Sequence, residues 1–267
     1  MSNITLTEQQ IADFNCNGYV IARGYYSLEE IDRLQEKAFN DDSLNDRAWH
    51  KKDAGGAVSK VCLWQETGND LYSMFSRSRR LSDVCETLIG EPIYHTSTKI
   101  MMKEPFVGGA WEWHQDFGYW HRDNYMLYPK AISCMVAINH ATVENGCLQV
   151  LKGSHHLGRL DHNKTGDQKG AALDFVEEAM KFHELVNVEL EPGDVLFFHC
   201  NLLHKSNQNR AAEPRWSMIC AYNAISNQSF VENEAKFYPF SPVADDAIIN
   251  WQETEDAEAV VNDCNRK

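Results

Sequence analysis

The apolar positions of this chain follow two periods, and the change between them falls near residue 90. Before it, helical spacing dominates. Ile31, Leu34 and Ala38 lie three and four apart on one face, and Leu81 to Leu88 has the same character with Gly90 as its stop. Two helix starts carry capping-box pairs, Thr7 with Gln10 and Ser27 with Glu30. Between those helices Tyr19-Val20-Ile21-Ala22 reads as a short strand, and residues 41–56 are polar without a period, which predicts a loop. From about Ile93 the period is two. Ile132, Cys134, Val136 and Ile138 share one face, and Val186, Val188 and Leu190 alternate up to the turn Glu191-Pro192-Gly193-Asp194. Val195 to His199 and Trp216 to Tyr222 are further strands. Many short strands parted by Gly, Pro and Asn turns predict a sandwich or jelly-roll barrel.

With 267 residues, 43% of them hydrophobic, the chain can build one sizeable core. It has no internal repeat, low-complexity tract or linker. A single domain over 1–267 is expected, with N-terminal helices in 1–90, a jelly-roll core over about 91–225 and a C-terminal extension over 226–267. The acidic last stretch, Asp245 to Lys267, reads as a surface helix or loose tail. A net charge of −14 weighs against a nucleic-acid partner. No apolar run approaches the ~20 residues of a membrane span, and the N-terminus has no signal-peptide pattern. The eight cysteines form no C-x-x-C pair, so reduced thiols and a cytoplasmic compartment are expected. Oligomeric state is not legible.

Chemistry concentrates in two stretches. The first is Trp113-His114-Gln115-Asp116, where an extended backbone turns His114 and Asp116 to one side and Gln115 to the other. The second is Phe197-Phe198-His199-Cys200-Asn201-Leu202-Leu203-His204-Lys205-Ser206. Two imidazoles and one carboxylate on one face of a metal leave open coordination positions and suit non-heme Fe(II) that activates O2. His204 is the better third ligand, because it follows the strand in a segment that can fold back beside the H-x-D stretch. His199, at the end of the apolar run, is the competitor. Arg215 opens a strand, and its guanidinium can grip a carboxylate through two parallel hydrogen bonds. The far carboxylate of 2-oxoglutarate needs such an anchor, and Ser206 offers a hydroxyl beside it. Arg210 sits in a polar turn and reads as exposed.

In combination these residues resemble the phytanoyl-CoA dioxygenase family of Fe(II)/2-oxoglutarate oxygenases, including its ectoine-hydroxylase-like members. The matching stretches also include Asn145 to His155, Pro192-Gly193-Asp194 and the opening Phe14 to Gly24, so the resemblance covers roughly residues 8 to 225. It implies a double-stranded β-helix flanked by helices. It implies His114, Asp116 and His204 as iron ligands, and Arg215 and Ser206 as the cosubstrate's carboxylate site. Lys60 resembles a lysine that reaches the cosubstrate in some members. Lys152 departs from the proline common before Gly-Ser-His, a matter of one turn. Relatives that became halogenases replace the triad carboxylate by a small residue, and Asp116 argues against that here.

The implied reaction is hydroxylation of a small-molecule substrate, coupled to conversion of 2-oxoglutarate and O2 to succinate and CO2. Phe117, Tyr119, Trp120 and His121 follow the H-x-D stretch and offer a cation–π wall for an ammonium group. Lys103, Arg122, His155 or Arg159 offers charge for a phosphonate. A small polar or zwitterionic metabolite is therefore expected, such as an ectoine-like compound or an aminoalkylphosphonate. The alternatives are an acyl-CoA or other lipid-derived substrate, a cupin-like metalloenzyme that does not use O2, and a binding domain without catalysis.

Overall fold

A computed structural model describes residues 5–165, 167–231 and 241–254. The chain opens with α1 (Glu8–Asn17), β1 (Tyr19–Ala22), α2 (Leu28–Phe39), α3 (Asp42–Arg47), β2 (Trp49–Lys52), β3 (Val58–Trp64), α4 (Leu71–Ser76) and α5 (Arg79–Ile89). The barrel strands follow: β4 (Ile93–Lys103), β5 (Trp111–His114), α6 (Asp116–Asp123), β6 (Ala131–Ala137), β7 (Leu148–Leu151), the hairpin β8 (His162–Thr165) and β9 (Gln168–Ala171), and α7 (Leu173–Ala179). Then come β10 (Leu185–Val188), β11 (Val195–His199), β12 (His204–Ser206), β13 (Arg215–Ala224) and the short α8 (Ala247–Asn250).

Both capping boxes form. Thr7 accepts from the Gln10 amide and Ser27 from the Glu30 amide, each answered by the partner's side chain. The stretch expected as a loop over 41–56 instead holds α3, capped by Asp41, and the edge strand β2. The tail expectation for 245–267 falls mostly on residues outside those described; within it α8 packs Ile248 into the helical side of the core.

Two antiparallel sheets face each other. The larger has seven strands in the order β1-β11-β6-β13-β4-β3-β2, and the smaller has the order β10-β7-β12-β5. This is the double-stranded β-helix (jelly roll) with flanking helices. The segment before residue 91 is thus more than helices, since β1, β2 and β3 supply three of the seven strands.

Period two sorts the large sheet into two faces. Cys62, Trp64, Ile100, Met102, Ile132, Cys134, Val136, Met218 and Cys220 meet the helices. Val61, Met101, Met135, Ala137 and Ile219 meet Leu148, Val150 and Val188 of the small sheet. The same parity places the charged and polar residues. Lys99 pairs with Ile219 and Lys103 with Arg215, so both lysines, Arg215, Ser217 and Ser133 belong to the inner face. Lys60 pairs with Met102 and belongs to the outer one.

Candidate metal centre

In the small sheet β12 pairs with β5, and the register sets His204 directly opposite His114. Their ring centroids are 4.0 Å apart. β5 ends at His114, Gln115 keeps an extended backbone (φ −115°, ψ 134°), and Asp116 opens α6. One extended residue between the pair is enough to turn both side chains inward. Ligand atoms of His114, Asp116 and His204 all lie within 4.8 Å of one another, and all three residues are buried. His114 Nε2 stands 3.9 Å from Asp116 Oδ1.

The surroundings prepare each group for a cation. His114 Nδ1 lies 2.8 Å from the Glu112 carbonyl and His204 Nδ1 lies 2.9 Å from that of Leu202. Both Nδ1 atoms therefore carry the proton and donate, which leaves each Nε2 lone pair for a metal. Burial holds both imidazoles below their ordinary pKa, helped for His114 by His204 beside it, so both are neutral. Burial works to raise Asp116, but Lys99, His204, His114 and a hydrogen bond from Ser133 together hold it at about 2. Ser133 Oγ donates to Asp116 Oδ2 at 2.6 Å, leaving Oδ1 toward the imidazoles. Two neutral nitrogens and one carboxylate oxygen fit a divalent ion held on one face.

Gln115 points away, and its buried amide acts as a clamp. Nε2 donates to the carbonyls of Gly158 and Asn201, and Oε1 accepts from the Leu160 amide. The Gln115 backbone amide donates to His162 Nε2 at 2.9 Å. One residue thus ties the ligand strand to the loop that leads to His204 and to the β8–β9 hairpin.

At the far end of the inner face Arg215 is buried, with Nη2 donating to the Gly146 carbonyl at 2.9 Å and Nη1 to Ser217 Oγ at 3.3 Å. Burial draws its pKa down to about 10, so it stays cationic at neutral pH. Its Nε has no hydrogen-bond partner among the described residues. Ser206, also buried, lies two residues beyond His204 on β12.

Several sequence expectations move. Lys60 is on the wrong face of β3 for a cosubstrate contact: its ammonium meets Asn45 Oδ1 at 3.3 Å and Glu104 at 3.9 Å. His199 accepts from the Asn201 amide and packs beside Phe14, outside the triad. Of the four aromatic candidates only Tyr119 reaches the centre. Its ring lies 5.4 Å from that of His114, and its hydroxyl donates to the Lys169 carbonyl. Phe117 packs with Met126, Ala131 and Cys200, with Trp120 against the same cluster. The His121 ring lies tilted against Phe117, 5.4 Å between centroids, and its Nδ1 bonds the Met126 carbonyl. The cause is the helix. From Asp116 onward the period is 3.6, so residues 117, 120 and 121 share a face that residue 119 does not.

Sequence reasoning passed over Ser133, Lys99 and His162. Ser133 carried a signal, a polar residue alone among apolar neighbours in β6, whereas Lys99 follows Thr96, Ser97 and Thr98 and only the sheet register shows that it faces inward. His162 carried none, since its place depends on a hairpin packing back over α6.

The sequence matches the phytanoyl-CoA dioxygenase (PhyH) family over residues 14–217. It is 30% identical over 251 residues to an ectoine dioxygenase of Sphingopyxis alaskensis, covering 84% of this chain and 78% of that enzyme. It is 32% identical over 174 residues to an L-proline trans-4-hydroxylase of Streptomyces griseoviridis, covering 60% and 65%. The fold is similar to the crystal structure of EctD from S. alaskensis with 2-oxoglutarate and 5-hydroxyectoine, with a TM-score of 0.73, 25% identity and coverage of 91% and 90%.

Proposed function

The chain belongs to the phytanoyl-CoA dioxygenase family, and from that premise we propose that His114, Asp116 and His204 hold its Fe(II) while Arg215 and Ser206 receive the distal carboxylate of 2-oxoglutarate. The protein is a 2-oxoglutarate-dependent dioxygenase that hydroxylates a small polar metabolite. One observation carries the site assignment: the triad and the buried Arg215, which meets no carboxylate among the described residues, line the same interior between two sheets. Bound iron supplies the redox chemistry that couples loss of CO2 from 2-oxoglutarate, with O2, to hydroxylation.

The chain's own groups do the positioning. The two Nδ1–H bonds to backbone carbonyls fix the imidazole tautomers, and Ser133 fixes which carboxylate oxygen is free. Lys99 sets its ammonium 4.0 Å from Asp116 Oδ1 on the inner face and keeps part of its side chain exposed. A cation there suits a substrate carboxylate or phosphonate, and Tyr119 beside His114 gives an aromatic face for an ammonium. Together they favour a zwitterion over an acyl-CoA.

We assign the protein to one domain and to the cytoplasm. The two cores share strands across residue 90, and the cysteines among the described residues are free thiols. No helix among the described residues is long and apolar enough to cross a membrane.

Succinate release by the Fe(II)-loaded enzyme, measured with ectoine, L-proline, an aminoalkylphosphonate and an acyl-CoA, tests the reading. Release is expected with at least one zwitterion. Arg215→Ala should raise the KM for 2-oxoglutarate about tenfold or more, the loss of a bidentate charged contact. Succinate release with acyl-CoA alone would sink the substrate assignment.

A further inference from the structure

Gly153-Ser154-His155 makes the turn that follows β7. Gly153 has φ +78°, and Ser154 opens a short 3-10 helix over Ser154–Leu157. Ser154 is 0% exposed.

The turn is fastened to the C-terminal end of α1. The Gly153 amide donates to the Asn17 carbonyl at 2.7 Å, and His155 Nε2 donates to that of Asn15 at 3.1 Å. Both carbonyls belong to the last turn of the helix, where no intrahelical donor reaches them. Gly18, which caps α1 at φ +81°, lies against the imidazole, and a Cβ there would be 2.5 Å from His155 Nδ1.

Held there, the Ser154 hydroxyl accepts from the Leu203 amide at 2.9 Å, in a buried contact. That N–H belongs to the peptide group between Leu202 and Leu203. The carbonyl of the same peptide group accepts from His204 Nδ1 at 2.9 Å. Ser154, one peptide plane and His204 therefore form a single chain of hydrogen bonds. The peptide lies in the loop between the end of β11 at His199 and the start of β12 at His204. The carbonyl that serves His114 is placed differently: Glu112 lies inside β5, within the strand pairing. A peptide group whose N–H is bonded is the stronger acceptor at its carbonyl. A firm acceptor at Nδ1 in turn fixes the tautomer and ring orientation of an imidazole ligand.

We infer that Ser154 is a positioning residue for the metal centre: through the Leu202–Leu203 peptide it orients His204 so that Nε2 faces the ion, and the end of α1 keeps it in place. This rests on the reading of His204 as an iron ligand. It gives the Gly-Ser-His turn a part in the site although none of its side chains is a ligand.

Two measurements test it. Anaerobic competition with a chromogenic chelator gives the Fe(II) affinity. The downfield proton resonance of His204 Nδ1–H in metal-free protein, identified by its loss in His204→Ala, reports the hydrogen bond. Ser154→Ala should weaken Fe(II) binding about tenfold or more, the usual effect of losing an outer partner of a ligand, and should move that resonance upfield. A residue that only satisfies a buried amide would change neither and lower the melting temperature alone. That result overturns the inference, as does weaker Fe(II) binding with the resonance unmoved. Ser154→Cys, of similar size but a weak acceptor, takes the place of the alanine variant if that does not fold, with the same outcomes. Fe(II) binding in His204→Ala as tight as in the wild type would instead overturn the reading of His204 as a ligand, and this inference with it.

Discussion

Gln115 sits between two candidate iron ligands and touches neither function directly, yet its amide is among the most committed side chains near the site. Its three side-chain hydrogen bonds reach Gly158, Leu160 and Asn201, on two separate loops. Truncation leaves the buried Asn201 carbonyl and the half-buried Gly158 carbonyl and Leu160 amide without their partner, which costs more than the bonds themselves contribute. Gln115→Ala should lose about 3 kcal/mol of stability, a Tm fall of roughly 5–10 °C. It should also lower Fe(II) affinity, because the loop bearing His204 loses its tie. An unchanged Tm in a thermal melt would show that water replaces the clamp. At this scale the sequence was most legible where spacing alone decides. One extended residue between His114 and Asp116 turns both inward, and the structure has that geometry. It was least legible for the lysines. Lys60 lies in β3, Lys103 closes β4 after a second lysine, Lys99, and only the pairing of β3 with β4 shows that Lys60 and Lys103 lie on opposite faces.

The helix α6 decides what surrounds the centre. A run of aromatic residues after H-x-D suggested a wall, but a wall from successive residues needs a strand. Because Asp116 starts a helix, Phe117, Trp120 and His121 turn into a satellite core and Tyr119 alone turns to His114. The side left open is covered by the β8–β9 hairpin. His162 accepts from the Gln115 amide, and its Nδ1 lies 3.0 Å from the Leu160 carbonyl, so neither nitrogen is free for substrate. Its ring lies so near Gly118 that a Cβ there would be 2.0 Å from Cε1. Gly118→Ala sets two effects against each other. Alanine in a helix gains about 1 kcal/mol over glycine, whereas the clash must displace the ring at about 1–3 kcal/mol. The clash should win, since the ring is fixed at both nitrogens. The variant should melt at or below the wild-type temperature and release less succinate. A higher Tm with full activity would mean that the hairpin moves aside freely.

The molecule as a whole was readable in outline, because alternation over short strands admits few architectures and the polar inner positions had to meet somewhere between the sheets. Sheet order and the contribution of β1, β2 and β3 were not: β1 joins through β11, from Tyr19 to Phe198, and β2 and β3 extend the edge beyond β4 from a stretch whose polar residues hide the strand period. Burial on both faces of the large sheet also has a consequence for pH. His95, on β4, is 0% exposed, with Nδ1 3.0 Å from the Gln65 carbonyl and Nε2 2.8 Å from Thr98 Oγ1. Burial lowers its pKa from 6.5 to about 4. His199 falls to about 4 through burial, then through His155 and His156 nearby. For both, the folded chain prefers the neutral imidazole more than the unfolded chain does. Their contribution is complete above pH 6.5 and is lost as pH falls through 6.5 toward 4. By linkage a shift of that size is worth about 3 kcal/mol for the fully buried His95. The metal-free protein should therefore lose stability steeply between pH 6.5 and 4.5 in urea unfolding. His95→Gln, which cannot be protonated, should start less stable at pH 7.5 and fall less across that interval. Parallel slopes for the two proteins would show that His95 is not a source of the acid sensitivity.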